Sequence, residues 1–189
     1  FAGVDKLWKV KMDSPYDNSI DIKKLDFSEL PGLRVLYVES EDLEELILPR
    51  SRNLVSLDLG SCYLKKLDLS QTPKLSFLSL GSCDIDRLDL TKVPQLEVLK
   101  IWWQKKVKKL DFSRLKKLKE LHISSMDRVK KLNLPNPKRL KELSIYGCKS
   151  LTKINFNKMT NLKSLEVYEN KRLKKLDIRK LKKLEHLTW

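Results

Sequence analysis

The residues of this chain best equipped for chemistry gather around one histidine. Glu120, His122, Glu142 and Ser144 are the types from which a nucleophile, base and orienting carboxylate are assembled, and such a set performs acyl transfer when an oxyanion hole stands beside it. An i, i+2 spacing places Glu120 with His122, and Glu142 with Ser144, on one face of an extended strand. A regular strand face offers neither a pocket nor an oxyanion hole, so the arrangement misses the geometric test for catalysis. No nucleophile elbow, phosphate loop or dinucleotide fingerprint occurs. No enzyme activity and no cofactor are therefore expected. Cys62, Cys83 and Cys148 lack convergent partners at short spacing, which argues against a metal site and for small buried thiols.

The second conspicuous set is basic. Lys23-Lys24, Lys65-Lys66, Lys108-Lys109, Lys130-Lys131 and Lys174-Lys175 recur at one position of a repeating pattern. Asp26, Asp68, Asp89, Asp111 and Asp177 follow in the same segments. Alternation sets each aspartate on the side of the basic residue two positions before it, so solvated Lys–Asp rows are expected, with little net energy. An anionic partner, nucleic acid or lipid, is the competing reading of the lysine ladder. No aromatic side chains interleave with these lysines for base stacking.

The elements that position these residues come from the repeat. The chain has 189 residues, 41% hydrophobic and 34% charged, which suits one domain with a continuous core and is too apolar for disorder. Its net charge of +15 turns attention to anionic partners. No apolar run reaches the ~18 residues of a membrane span. Segments beginning at Leu33, Leu54, Leu75, Leu96, Leu118, Leu140, Leu162 and Leu184 share the pattern L-x-x-L-x-L, with steps of 21 and then 22 residues. Leu7, Val10 and Met12 begin the same pattern one longer step earlier. A second apolar half follows in each unit, for example Leu64, Leu67 and Leu69. It is too short for a long helix. Pro31, Pro73, Pro94 and Pro137 end that segment near the next strand.

This pattern resembles the leucine-rich repeat family, whose period is roughly 20–29 residues. The ninth position of each unit reads Glu41, Cys62, Cys83, Gln104, Met126, Cys148 and Asn170. In the family this slot holds Asn or Cys turned inward toward loop backbone. The short cysteine-bearing units are similar to bacterial internalin-type repeats, and the stretch around Cys148 to those of plant intracellular immune receptors. Glu41, Gln104 and Met126 depart from both. The resemblance implies an α/β repeat solenoid: a curved array with a parallel concave β-sheet, short extended or 3₁₀ convex segments and little long helix. Stacked rungs would bury the leucines that one rung alone cannot. One domain over 1–189 is expected, with an irregular N-terminal repeat at 1–32, regular repeats at 33–183 and the start of a further repeat at 184–189.

Strand positions three, five and seven face outward, and aromatics collect there although they form only 7% of the chain. An exposed aromatic ringed by polar groups is how a protein interface anchors. The expected partner-binding residues on the concave face are Tyr37, Asp58, Phe77, Lys100, Trp102, Trp103, Glu120, His122, Glu142, Tyr146, Glu166 and Tyr168. Acidic groups dominate their polar remainder, which favours a protein or peptide partner, one carrying Lys or Arg, over nucleic acid in that groove. The family resemblance points the same way, to non-catalytic recognition. A further reading is a sensing or regulatory segment of a larger receptor or effector. Phe1, Val4, Trp8 and Tyr16 are expected to cap the front of the stack, and the rung after Leu184 to fray or associate end to end. The start at Phe1 suggests a piece of a longer protein. The odd cysteine count favours a reducing, cytoplasmic setting, with a secreted or cell-surface parent as the other reading.

Overall fold

Repetition of L-x-x-L-x-L places one strand after another in the same register. The computed structural model describes residues 6–13, 22–50, 52–83, 85–132, 134, 138–156 and 159–189. Nine of its strands form one parallel sheet in chain order: β1 (Lys9–Asp13), β3 (Val35–Glu39), β5 (Ser56–Gly60), β6 (Phe77–Gly81), β7 (Val98–Trp102), β8 (Glu120–Ser124), β10 (Glu142–Tyr146), β12 (Ser164–Tyr168) and β13 (His186–Thr188). Register holds without slippage: Leu57 faces Leu36 and Leu78, and Leu121 faces Leu99 and Leu143. A one-residue slip would turn these leucines to solvent, so burial enforces the alignment.

Alternation within each strand divides core from surface. Positions four and six, such as Leu99 and Ile101, are buried, while positions three, five and seven stay half-exposed on most rungs. The first leucine of each regular unit, including Leu33, Leu54 and Leu118, closes the rung from the side and is fully enclosed. All of these belong to one continuous apolar column that also takes in Phe27, Phe112 and Phe156 from the opposite side.

That opposite side is extended and short, as the sequence implied. Strand β2 (Lys24–Asp26) pairs with β4 (Glu45–Ile47), and β9 (Lys131–Leu132) with β11 (Lys153–Ile154). Among the described residues the helical part of the α/β class reduces to one 3₁₀ turn, Leu90–Lys92, capped by Asp89. The expected Lys–Asp rows are corrected here. Asp26, Asp68 and Asp111 each accept the backbone N–H of the serine two residues on, at 2.8 Å. Asp89 and Asp177 do the same for Thr91 and Arg179. A carboxylate that closes its own turn is held by a fixed amide, which outcompetes a flexible lysine in water. Among the lysines of the doublets, Lys24 pairs instead with Glu45 of the next rung, at 2.8 Å.

The strands end in a repeated left-handed turn. Ser61, Ser82, Trp103, Ser125, Gly147 and Glu169, the eighth residues of successive units, all have φ between 46° and 62°. Only one is glycine, so the turn carries backbone strain at five rungs. Part of the compensation is direct: the N–H of Ser61 donates to the Gly81 carbonyl, that of Trp103 to Ser124 and that of Gly147 to Tyr168. Of the expected front cap, Phe1, Val4 and Tyr16 lie outside the described residues, as does Pro137. Trp8 is largely exposed rather than folded over the first rung.

Candidate functional site

The expected concave residues all sit on the sheet face or at its edge, but they form separate groups rather than one pocket. At the N-terminal side, Tyr37 and Asp58 occupy paired positions on β3 and β5. The Tyr37 hydroxyl donates to Glu39 at 2.7 Å, and that carboxylate pushes the phenol up to about 12. Lys11 lies 5.3 Å from its ring centre. Tyr37 is thus half-buried and engaged.

In the middle, Lys100 leans back over Phe77, its Nζ 6.0 Å from the ring centre. Trp102 lies on Gly81, its register partner on β6, so closely that a Cβ at that position would push the indole away. The tryptophan was expected to project freely. It is instead half-buried because the preceding rung supplies no Cβ beneath it.

Farther along, the face opens again. Tyr146 and Tyr168 pair on β10 and β12, with ring centres 4.8 Å apart and planes tilted by 37°. Glu169 raises the Tyr146 phenol above its ordinary value. Tyr168 is 41% exposed and Trp103 58% exposed. Both are well outside the core column. An exposed ring near this face that escaped the sequence reading is Tyr63, which follows Cys62 at the tenth position, beyond the reach of strand alternation, and is 62% exposed. It joins Trp103, Lys105, Asp127 and Lys149 along a shallow groove at the loop edge.

Beneath that edge runs the ninth-position ladder. The Cys62, Cys83 and Cys148 thiols are free and buried, and each donates to the carbonyl two residues before it, at 3.1, 3.3 and 3.6 Å. Each sulfur of Cys83 and Cys148 also receives the ninth-position amide of the preceding rung, from Cys62 and Met126. Burial pushes the Cys148 thiol up to about 11. The Cys83 thiol beside it, and then burial, push Cys62 up as well. Held this way, Cys62 and Cys148 stay protonated and are poor nucleophiles, whereas the hydrogen bond from Cys62 lowers the Cys83 thiol against its burial. Asn170 makes the fullest rung: Oδ1 accepts from the Cys148 amide, and Nδ2 donates to the Ile145 and Tyr168 carbonyls, all at 2.9 Å. Gln104 is one methylene too long. Its Nε2 reaches the Trp102 and Leu80 carbonyls at 3.3 and 3.5 Å, and its Oε1 is buried without a partner. Glu41 departs from the ladder and points to solvent.

Among the polar site residues, Glu120, His122 and Glu142 converge. Glu120 and Glu142 are register partners on β8 and β10, and His122 stands two residues along from Glu120. One potential ligand atom from each lies within 4.8 Å of the others. Stacking brings Glu120 and Glu142, 22 residues apart in the chain, side by side, a convergence that short spacing along the chain does not reveal. Glu166, on β12 beside Ser144, stays outside this group.

No family model matches the sequence, and no curated protein matches it. Solved structures do. The functional domain of InlJ from Listeria monocytogenes, which includes a cysteine ladder, superposes with a TM-score of 0.68 at 22% identity, covering 89% of this chain and 42% of that one. The TLR13–ssRNA13 complex gives 0.55 at 20% identity, covering 89% of this chain and 34% of the other. The chain thus spans less than half the length of either. At these identities the likeness speaks to architecture, and it agrees with the register, the ninth-position ladder and the parallel sheet: this chain has the fold of a leucine-rich-repeat solenoid.

Proposed function

We propose that this solenoid is a non-catalytic recognition module that binds a protein or peptide partner across its concave strands. The observation that carries the reading is the group of rings outside the core: the Tyr146–Tyr168 pair and Trp103, together with the Trp102 indole laid on Gly81. Rigid, partly exposed aromatics on a fixed sheet lose little entropy on docking and bury large apolar area, which is why they dominate interface energetics. Glu120, Glu142 and Glu166 give the same stretch a negative bias, which suits a partner presenting Lys or Arg. The thiols, buried and bonded to backbone carbonyls, and the open strand face give no support to catalysis. The same reading accommodates a sensing segment within a larger receptor or effector.

A second reading rests on the opposite side. Lys65, Lys66, Lys108, Lys109, Lys130, Lys131, Lys174 and Lys175 make no ion pair with any described residue. Such a ladder could engage a polyanion, and one structural neighbour is a complex with single-stranded RNA.

Affinity capture from an extract of the source cells separates the two. The double variant Trp103→Ala/Tyr168→Ala removes two of the most exposed rings at little cost to the core. If the concave reading holds, this variant loses a discrete protein that a variant with the lysine doublets changed to Glu retains. Loss confined to the lysine variant, with nucleic acid or lipid in the eluate and a steep salt dependence, would replace the first reading by the second.

A further inference from the structure

We propose that Glu120, His122 and Glu142 form a surface binding site for one divalent transition-metal ion, of which zinc fits the donor set best. Two carboxylates and one imidazole are hard-to-borderline donors of the kind zinc accepts, and three protein ligands leave a coordination position open. Calcium and magnesium ask for six or more oxygen donors, which this face does not assemble.

The scaffold dictates the geometry. Paired strands hold Glu120 and Glu142 side by side about 4.8 Å apart, and the pleat returns His122 to the same face two residues on. Ligand atoms in a tetrahedral zinc site, with bonds of about 2.0–2.1 Å, lie ~3.4 Å from one another. Here they are already within 4.8 Å. Closing the remainder takes only rotation of glutamate side chains, one half-buried and one exposed, and no backbone movement.

Charge partnering separates these residues from several acids that are matched across rungs: Glu45 with Lys24, Glu97 with Lys119, Asp127 with Lys149 and Glu185 with Lys163. The side chains of Glu120, His122 and Glu142 make no hydrogen bond or ion pair with a described residue, although two carboxylates standing side by side repel one another. The nearest facing cation, Lys100 on the adjoining strand, is drawn away over Phe77. The other neighbour of His122 is the hydroxyl residue Ser144. An unneutralised pair of acids beside an available imidazole is a site that a divalent cation relieves. This inference does not depend on the docking role of the concave face. A docked chain could nonetheless fill the open coordination position.

The test is titration of the purified chain with Zn²⁺ by calorimetry, and with Co²⁺ by visible absorption. One ion per chain is expected, with a cobalt spectrum of nitrogen and oxygen coordination free of thiolate charge transfer. His122→Ala and Glu142→Gln should each weaken binding by at least ~10-fold, while His186→Ala, on the exposed strand β13, leaves it unchanged. Circular dichroism of each variant checks that the sheet is intact, and the positions lie outside the core. Absence of a saturable site, equal binding by His122→Ala, loss that follows His186→Ala, or thiolate bands that assign the ion to cysteine would each overturn the proposal.

Discussion

Replacing Asn170 by alanine should unlock the ninth-position ladder at its best-made rung. The side chain is 8% exposed and makes three hydrogen bonds of 2.9 Å. Removing it leaves the Cys148 amide buried with no other acceptor, a penalty of about 1–3 kcal/mol. Two bonds to carbonyls are lost as well, but the Tyr168 carbonyl keeps the Gly147 amide as a donor, so their share is smaller. Together these give a loss of about 2–4 kcal/mol. For a chain of this size that corresponds to a fall in Tm of roughly 5–15 °C if the array melts as one unit. Urea denaturation followed by circular dichroism measures the total, and amide hydrogen exchange locates it. Exchange should accelerate first at Cys148 and Gly147. Asn170→Cys supplies an internal control, because Cys148 already shows that a thiol can donate to the carbonyl two residues before it and accept the preceding amide. It should recover roughly half of the loss, since sulfur is a weaker acceptor than an amide oxygen. A Tyr168-side effect alone, or a total change below about 0.5 kcal/mol with unchanged exchange, would refute the ladder as a source of stability.

Two further outcomes rest on the same chemistry. Gln104→Asn should stabilise the protein by about 1 kcal/mol in urea titration: relief of the orphaned Oε1 is worth ~1–3 kcal/mol, against ~0.8 kcal/mol for the lost methylene. A loss of stability would mean that the extra methylene fills space the asparagine cannot. Acid should weaken the fold in a defined window. The carboxyls of Asp26, Asp68, Asp89 and Asp111 lie below their ordinary 3.8 because backbone amides or the Thr91 hydroxyl donate to them, and Arg179 holds Asp177 down to about 2. A depressed folded-state value adds stability above the unfolded value, and that stability disappears as pH falls through the folded one. Urea midpoints should therefore drop between about pH 4 and pH 2, with a shallower drop in a variant carrying Asp→Asn at these positions. An identical acid profile in that variant would place the sensitivity elsewhere.

Most of the fold was legible because a solenoid writes its three-dimensional neighbours into its period. Knowing that Leu99 and Leu121 are one unit apart is enough to pair them, and alternation then assigns Glu120 and His122 to the outer face. What period alone does not carry is the choice each outward side chain makes among its neighbours. Trp102 folds down because the residue at its level on the previous rung happens to be Gly81. Asp111 turns to its own Ser113 amide and leaves the lysines without it. Tyr63 stands beyond the strand, where no alternation rule applies. These are decisions between a rigid local donor and a flexible distant one, and the rigid donor wins because it costs less entropy to hold.

The acidic pair and its histidine show how the same period also hides information. Metal ligands are usually sought a few residues apart, since a helix turn or a hairpin is what brings them together. Parallel stacking replaces that short separation with one rung, here 22 residues between Glu120 and Glu142. Cys62 and Cys83 stand one rung apart, yet they lie inward at the ladder with their thiols committed to backbone carbonyls. Position within the rung therefore decides the chemistry: the ninth residue meets buried amides and becomes structure, whereas the third and fifth meet each other on an open face. Counting separations in rungs, and then asking which face each position occupies, separates a structural ladder from a binding site in a chain where sequence distance alone treats them alike.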